Sequence, residues 1–290
     1  IKQRPMKHFN SSEIPDMKFI SLFENFSGSS KWLGGVLTPN GKIYCIPHSS
    51  SPVLEIDLTT RQATTFGDLG STAGKWMGGV LAPNGKIYGI PYFATQVLEI
   101  DPINKTTSLF GNLSSPDIAK WSGGVLAPNG KIYAIPYSAT QVLEIDPVNK
   151  TTALFGSLSG STLWVGGVLA PNGKIYGIPF SSNQILEINP NTKEITLFGN
   201  LSGPTKWWGG VLAPNGKIYG IPRRAEKILE IDPFTCTTKL FGNLSSDDYK
   251  WYSGALAQNG KIYGIPWNFT QILEIDPNNQ TAVAFGSLSS

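Results

Sequence analysis

The sequence is poor in the residues that most catalytic and metal centres use. It has two cysteines, Cys45 and Cys236, and two histidines, His8 and His48. Two cysteines cannot build a disulfide framework. Two histidines exclude a multi-histidine metal centre and leave a His-based triad only two possible bases. Charged residues make up 15% of the chain, well under the roughly one quarter usual in globular proteins. The net charge is only +3, too small for a dedicated nucleic-acid binder or a polybasic membrane anchor. No apolar run approaches the ~18 residues that cross a bilayer, and no signal-peptide pattern stands at Ile1. The expectation is a soluble chain without membrane insertion, in a processed mature form. Gly-x-Ser-x-Gly, His-Glu-x-x-His, phosphate-loop and dense acidic calcium-loop patterns are all missing. No catalytic residue, cofactor or metal is therefore expected.

What the chain does have is regularity. Its 290 residues include 32 Gly, 21 Pro and eight Trp. Trp-x-Gly-Gly-Val-Leu-Ala-Pro-Asn-Gly-Lys-Ile-Tyr, or a near variant, starts at Trp32, Trp76, Trp121, Trp164, Trp207 and Trp251, at intervals of 43 to 45 residues. The unit from Trp121 to Ser157 shows how each is built. Gly123 to Ala127 is a short apolar run. Pro128-Asn129-Gly130 is a turn, with Pro presetting φ and Gly accepting the left-handed conformation. Lys131 to Pro136 is rich in β-formers, and Gln141 to Asp146 alternates as a strand does. Asp146-Pro147 opens a second turn, and Thr151 to Phe155 forms a fourth strand. Four strands (A to D) repeated at this period predict an all-β fold, a β-propeller of four-stranded antiparallel blades. An open solenoid is the rival, but its polar capping repeats are absent.

Pro-Asn-Gly-Lys-Ile-Tyr followed by Val-Leu-Glu-Ile-Asp-Pro and a Thr-rich strand resembles the YVTN and NHL class of propeller repeats. The resemblance covers residues 32–290 and implies fold rather than function, since propellers host enzymes, lectins and scaffolds. The Gly-Gly precedes the turn, unlike kelch repeats, and the Trp-Asp ending of WD repeats is missing. The Asn-Gly turn and repeated Trp are also similar to tachylectin-type sugar-binding propellers.

Residues 1–31 form a separate N-terminal segment carrying a partial repeat. Phe19 to Ser27 matches the D strand of Thr106 to Ser114, and Glu13-Ile14-Pro15-Asp16 is a degraded Glu-Ile-Asp-Pro. Six blades are favoured over seven, which need a further A and B pair. The spare strand is expected to add to an edge or to a neighbouring chain, a route to self-assembly.

Strand order places A–B and C–D turns on one face and the variable D–A and B–C loops on the other. Variable loops on a fixed scaffold are where binding surfaces are usually built. The residues following Ile-Pro are His48, Tyr92, Tyr137, Phe180, Arg223 and Trp267. With Trp208, Tyr252 and Arg224 they make the candidate ligand site, whose aromatics would stack on sugars or grip a peptide and whose arginines would meet an anionic group. Each leading Trp reads as inter-blade core, although the Lys that precedes it in five units would suit a ligand contact. The repeated Glu at 55, 99, 144, 187, 230 and 274 reads as the partner of the Asn-Gly-Lys lysines. The Asp of each C–D corner reads as a turn former, and Cys45, in a Gly or Ala slot, as a small buried residue.

Nine Asn-x-Ser/Thr sequons stand at Asn10, Asn25, Asn104, Asn112, Asn149, Asn200, Asn243, Asn268 and Asn279. They would be glycan acceptors in a secreted protein. The leading expectation is a secreted or extracellular, non-catalytic binding module for a glycan or protein ligand, multivalent through its repeats. The alternatives are a scaffold in an extracellular assembly and a hydrolase or lyase with its centre at the channel mouth, hinted at only by Asp247, Asp248 and His48.

Overall fold

The structure, a computed structural model, describes residues 26–113, 118–203 and 205–288. The spare strand expected at residues 19–27 therefore lies almost wholly outside the described residues, as do Asn10, Asn25 and His8. Blade 1 comprises β1 (Trp32–Leu37), β2 (Lys42–Pro47), β3 (Val53–Asp57) and β4 (Gln62–Phe66). Blade 2 comprises β5 (Trp76–Leu81), β6 (Ile87–Pro91), β7 (Val97–Asp101) and β8 (Thr106–Phe110). Blade 3 comprises β9 (Trp121–Leu126), β10 (Ile132–Pro136), β11 (Val142–Asp146) and β12 (Thr151–Phe155). Blade 4 comprises β13 (Trp164–Leu169), β14 (Ile175–Pro179), β15 (Ile185–Ile188) and β16 (Ile195–Phe198). Blade 5 comprises β17 (Trp207–Leu212), β18 (Ile218–Pro222), β19 (Ile228–Asp232) and β20 (Thr237–Phe241). Blade 6 comprises β21 (Trp251–Leu256), β22 (Ile262–Pro266), β23 (Ile272–Asp276) and β24 (Thr281–Phe285). Each blade is one four-stranded antiparallel sheet in chain order, so the expected six-blade propeller architecture is present.

The two glycines of the repeat answer different demands. The first, such as Gly78 at φ 81°, sits where the A strand bulges against its partner, a conformation L-residues avoid. A Cβ on it would meet the Cα of Gly123 in the next blade at 3.4 Å, so the inner strands can approach closely only without side chains. The second glycine receives an isoleucine from the preceding blade. A Cβ on Gly79, Gly124, Gly167, Gly210 or Gly254 would lie 2.5–2.7 Å from the Cδ1 of Ile46, Ile90, Ile135, Ile178 or Ile221. Those isoleucines are wholly buried, and the five core clusters lie between successive blades.

Polar staples join the same seams on the A–B/C–D face. In blades 1 to 5 the B-strand tyrosine hydroxyl reaches a carbonyl of the next blade, as in Tyr133 to Pro190 at 2.9 Å and Tyr176 to Pro233 at 3.0 Å. Within each blade the Asn-Gly-Lys lysine meets its glutamate, with Lys131 2.7 Å from Glu144 and Lys174 2.6 Å from Glu187. The next blade adds a second donor from the end of its C–D turn: Lys105 to Glu55, Lys150 to Glu99, Lys193 to Glu144, Cys236 to Glu187 and Gln280 to Glu230. The Asp of each C–D corner accepts two backbone N–H groups, as Asp101 does from Ile103 and Asn104, both at 3.0 Å, which is the turn-forming role expected.

Burial pushes the Glu99 and Glu144 carboxyls up, but hydrogen bonds from their lysines and tyrosines outweigh it and hold them below their ordinary 4.5. Their contribution to stability is therefore complete above pH 4.5 and is lost as pH falls through the lower folded value. Glu144→Gln should cost about 2 kcal/mol at neutral pH and flatten the acid limb of the stability curve. Glu274→Gln, at a glutamate with no second-blade donor among the described residues, should cost less than Glu144→Gln. Urea unfolding between pH 3 and 7 checks both.

Candidate binding face

The loop face is organised by backbone hydrogen bonds that pass from blade to blade. In the first five blades the residue after Ile-Pro offers its carbonyl to the N–H that precedes the next blade's leading Trp. The pairs are His48 to Lys75, Tyr92 to Lys120, Tyr137 to Leu163, Phe180 to Lys206 and Arg223 to Lys250, with distances from 2.7 to 3.0 Å. The variable side chains therefore project from a fixed backbone path.

Those side chains touch one another in an unbroken arc. Ring centroids lie 6.0 Å apart for His48–Tyr92, 5.8 Å for Tyr92–Tyr137 and 6.0 Å for Tyr137–Phe180. Phe180 meets Trp208 edge-on at 5.2 Å, Trp208 stacks on Tyr252 at 5.0 Å, and Tyr252 meets Trp267 at 4.4 Å. All of the predicted aromatic candidates thus join one belt. They are not equally open. Trp267 is 48% exposed, whereas Phe180 is 5% exposed and supports its neighbours. Burial raises the hydroxyl pKa values of Tyr92, Tyr137 and Tyr252, that of Tyr92 to about 12, so these belt hydroxyls stay uncharged.

Its single embedded cation is Arg223, only 7% exposed. The guanidinium lies 3.9 Å from the Tyr249 ring, 5.2 Å from Phe180 and 5.6 Å from Trp208. Among the described residues its buried Nε has no hydrogen-bond partner. Tyr249 holds the left-handed conformation at φ 55°, where blade 2 has Gly74. A bulky residue there costs of order 1 kcal/mol, and its contact with Arg223 offsets that strain. Sequence reading did not single out Tyr249, whose only signal was its place in a variable D–A loop. Arg224, the other predicted anion contact, is already paired with Asp248 at 3.3 Å.

Two openings interrupt this face. A cleft of about 520 Å³ lies between Trp32, Leu33 and His48 on one side and Tyr252, Ile265 and Trp267 on the other, so the two ends of the belt form its walls. The channel mouth, about 220 Å³, is lined by Leu33, Met77, Ser122, Val165, Trp208 and Tyr252 together with the inner glycines. Farther out, equivalent clefts recur against Trp76, Trp207 and Trp251, each bounded by a B–C loop and an outer strand.

Five of the six leading tryptophans are core, as expected, and Trp32 is half-buried. Trp76, Trp121, Trp164, Trp207 and Trp251 are at most 3% exposed, and all six indole N–H groups donate to B–C carbonyls. The lysines before them are not ligand contacts. Lys75 is buried and caps the carbonyls of Ser50, Gly70 and Thr72 at 2.9 Å, and Lys250 caps those of Arg224 and Asp247. Burial lowers the pKa of Lys75, Lys206 and Lys250. His48 donates through Nδ1 to the carbonyl of Trp76 at 3.0 Å, while Asp248 pairs with Arg224. The thin acid–base hints are thus not assembled into one cluster. The seven described sequon asparagines are all exposed, but the amides of Asn104, Asn149 and Asn279 bond to their corner aspartates.

The family described as "Repeat of unknown function (DUF6923)" matches residues 79–232, just over half of the chain. No curated protein is similar to the sequence. Among solved structures, virginiamycin B lyase from Staphylococcus aureus superposes with a TM-score of 0.76 at 15% identity, covering 90% of this chain and 85% of that one. A Lactobacillus plantarum protein gives 0.70 at 11% identity, covering 89% and 85%. The extracellular domain of a one-component system from B. thetaiotaomicron gives 0.67 at 9% identity, covering 88% of this chain and 36% of that one. At these identities the likeness is one of fold.

Trp164→Ala should cost about 3–5 kcal/mol. Trp267→Ala should change stability by about 1 kcal/mol or less. Thermal melts of the two variants separate the buried ring from the exposed one; unfolding of Trp267→Ala would place that side chain in the core.

Proposed function

Since the chain belongs to the DUF6923 repeat family, whose description leaves function open, we propose from its loop face that it is a non-catalytic binding module for an acidic saccharide. The observation that carries this reading is the aromatic belt with one embedded guanidinium at Arg223. Aromatic faces stack on the apolar faces of sugar rings. An arginine buried among them, with Nε unpartnered, suits a uronate carboxylate or a sulfate. The cleft between His48 and Trp267 is the entry point, because Trp267 is the most exposed of the predicted belt aromatics. Tyr252 and Trp208 extend the stacking surface inward, and Tyr92 and Tyr137 continue it around the face. Such recognition fits an extracellular setting, where exposed sequons would carry glycans.

The equivalent outer clefts at Trp76, Trp207 and Trp251 favour a second, multivalent reading. Several weak sites on one rigid ring gain avidity for a repetitive ligand without new contacts. The two readings differ in stoichiometry: one ligand at the belt, or several at the rim. A scaffold role would use the same face for a protein, and an enzymatic role would require a unit-specific acid–base cluster.

A glycan array that includes uronic-acid and sulfated oligosaccharides, followed by calorimetry, tests the proposal. Binding at one site per chain is expected, weakened about tenfold or more by Trp267→Ala, a loss of about 1.4 kcal/mol. Arg223→Leu should abolish the preference for acidic over neutral sugars. Capture of peptides with no saccharide bound would refute the saccharide reading.

A further inference from the structure

Five inter-blade seams are built alike, and the sixth, between blade 6 and blade 1, is not. Ile265 occupies the place of the five wholly buried isoleucines yet is 52% exposed. The glycine that should receive it, Gly35, is exposed, and a Cβ there would meet only Ile43 and Cys45 of its own blade. Each other neighbouring pair of inner strands packs side by side, with no comparable packing of β21 on β1. The polar staples stop at the same place. The Tyr263 hydroxyl meets Glu274 but no carbonyl of blade 1, and the side chain of Glu274 is 27% exposed against 4–5% for its equivalents. The backbone relay likewise lacks the step from Trp267 to Lys31. Apolar surface is left bare along the outer half, with Leu58 52% and Phe285 41% exposed. An opening of this kind invites association unless it is covered.

The chain entering blade 1 is built like the connections between the other blades. In every other blade the chain arrives from a preceding D strand, and a leucine two residues past that strand's Gly packs toward the next Trp. Phe26 takes the leucine's place and meets the Trp32 ring edge-on at 5.2 Å. Lys31 bonds the carbonyls of Phe26 and Ser27, as Lys75 bonds those of Gly70 and Thr72. Residues 26–31 are therefore built as a D–A connection although no described blade precedes them. Upstream, Phe19-Ile20-Ser21-Leu22-Phe23 matches a D strand and Glu13-Ile14-Pro15-Asp16 the end of a C strand.

The geometry points to residues 13–25, whose sequence matches that of a C–D pair, as the occupant of this seam between blades 6 and 1. Outer strands fill the outer half of a blade's space, where Leu58, Cys45 and Phe285 stand bare or half-covered. The inner half, with Ile265 and Trp267, remains the open cleft. A second copy of the chain is the competing occupant. The inference needs no ligand and stands whether or not the cleft binds saccharide.

Cys45, on the B strand facing the seam, is a native reporter. In full-length protein carrying Cys236→Ser, the Cys45 thiol should react slowly with a soluble disulfide reagent. Adding Phe19→Asp and Phe23→Asp should accelerate it about tenfold or more, with hydrogen exchange in β9 to β12 unchanged as the control for folding. If exchange shows those strands unfolded, the single Phe23→Ala change and exchange at β2 and β22 provide the same readout. Equal Cys45 rates with folding intact would overturn the proposal. So would protection that appears only as protein concentration drives dimer formation.

Discussion

The seam between blades is the constraint on which the rest depends. A four-stranded sheet buries neither of its faces alone, so each blade needs a neighbour on both sides. Here an isoleucine of one blade enters the space left by a glycine in the next, and a side chain on that glycine would collide with it. This interlock sets how closely blades approach, and the approach in turn positions everything polar. Tyrosine hydroxyls reach carbonyls of the next blade, and C–D turn residues reach buried glutamates of the preceding one. On the opposite face, carbonyls of the variable residues are taken by the following blade. The binding belt is thus a by-product of the same closeness that makes the core.

That coupling explains why so diverse a set of side chains can be presented without loss of order. His48, Tyr92, Tyr137, Phe180, Arg223 and Trp267 differ in size, charge and shape, yet each stands on a backbone position fixed by hydrogen bonds that do not involve its side chain. The belt can vary while the ring does not. Tyr249 shares its left-handed backbone with Ser30, Thr162 and Thr205 at the equivalent position, but its ring is held against a cation. That cation–π contact sets the Arg223 region apart from its repeat-equivalents.

Much of the fold was legible because a repeat states its local rules six times. The Asn-Gly and Asp corners, the lysine–glutamate pairs and the buried tryptophans all follow from contacts within one unit or its immediate continuation. Three features were not legible. Lysines before the tryptophans looked available for ligand, but their ammonium groups are consumed by loop carbonyls, a fact of loop path rather than of residue type. Lys105, Lys150 and Lys193, which sequence reading did not single out, reach glutamates about fifty positions away. Cys45, expected to be buried, is only partly covered because it faces the one seam that the described residues leave open.

The sequence by itself determined the blade, its strand order, its turn chemistry and the face that carries variation, because these depend on periods of two and of about 44 residues that can be read directly. Tertiary structure alone decided which variable side chains touch, that Arg223 is enclosed while Trp267 is open, and that the described residues seal the ring at five junctions and not at the sixth. Those outcomes depend on the angle between neighbouring sheets and on its accumulation around the ring. That is a global quantity, which no single repeat encodes.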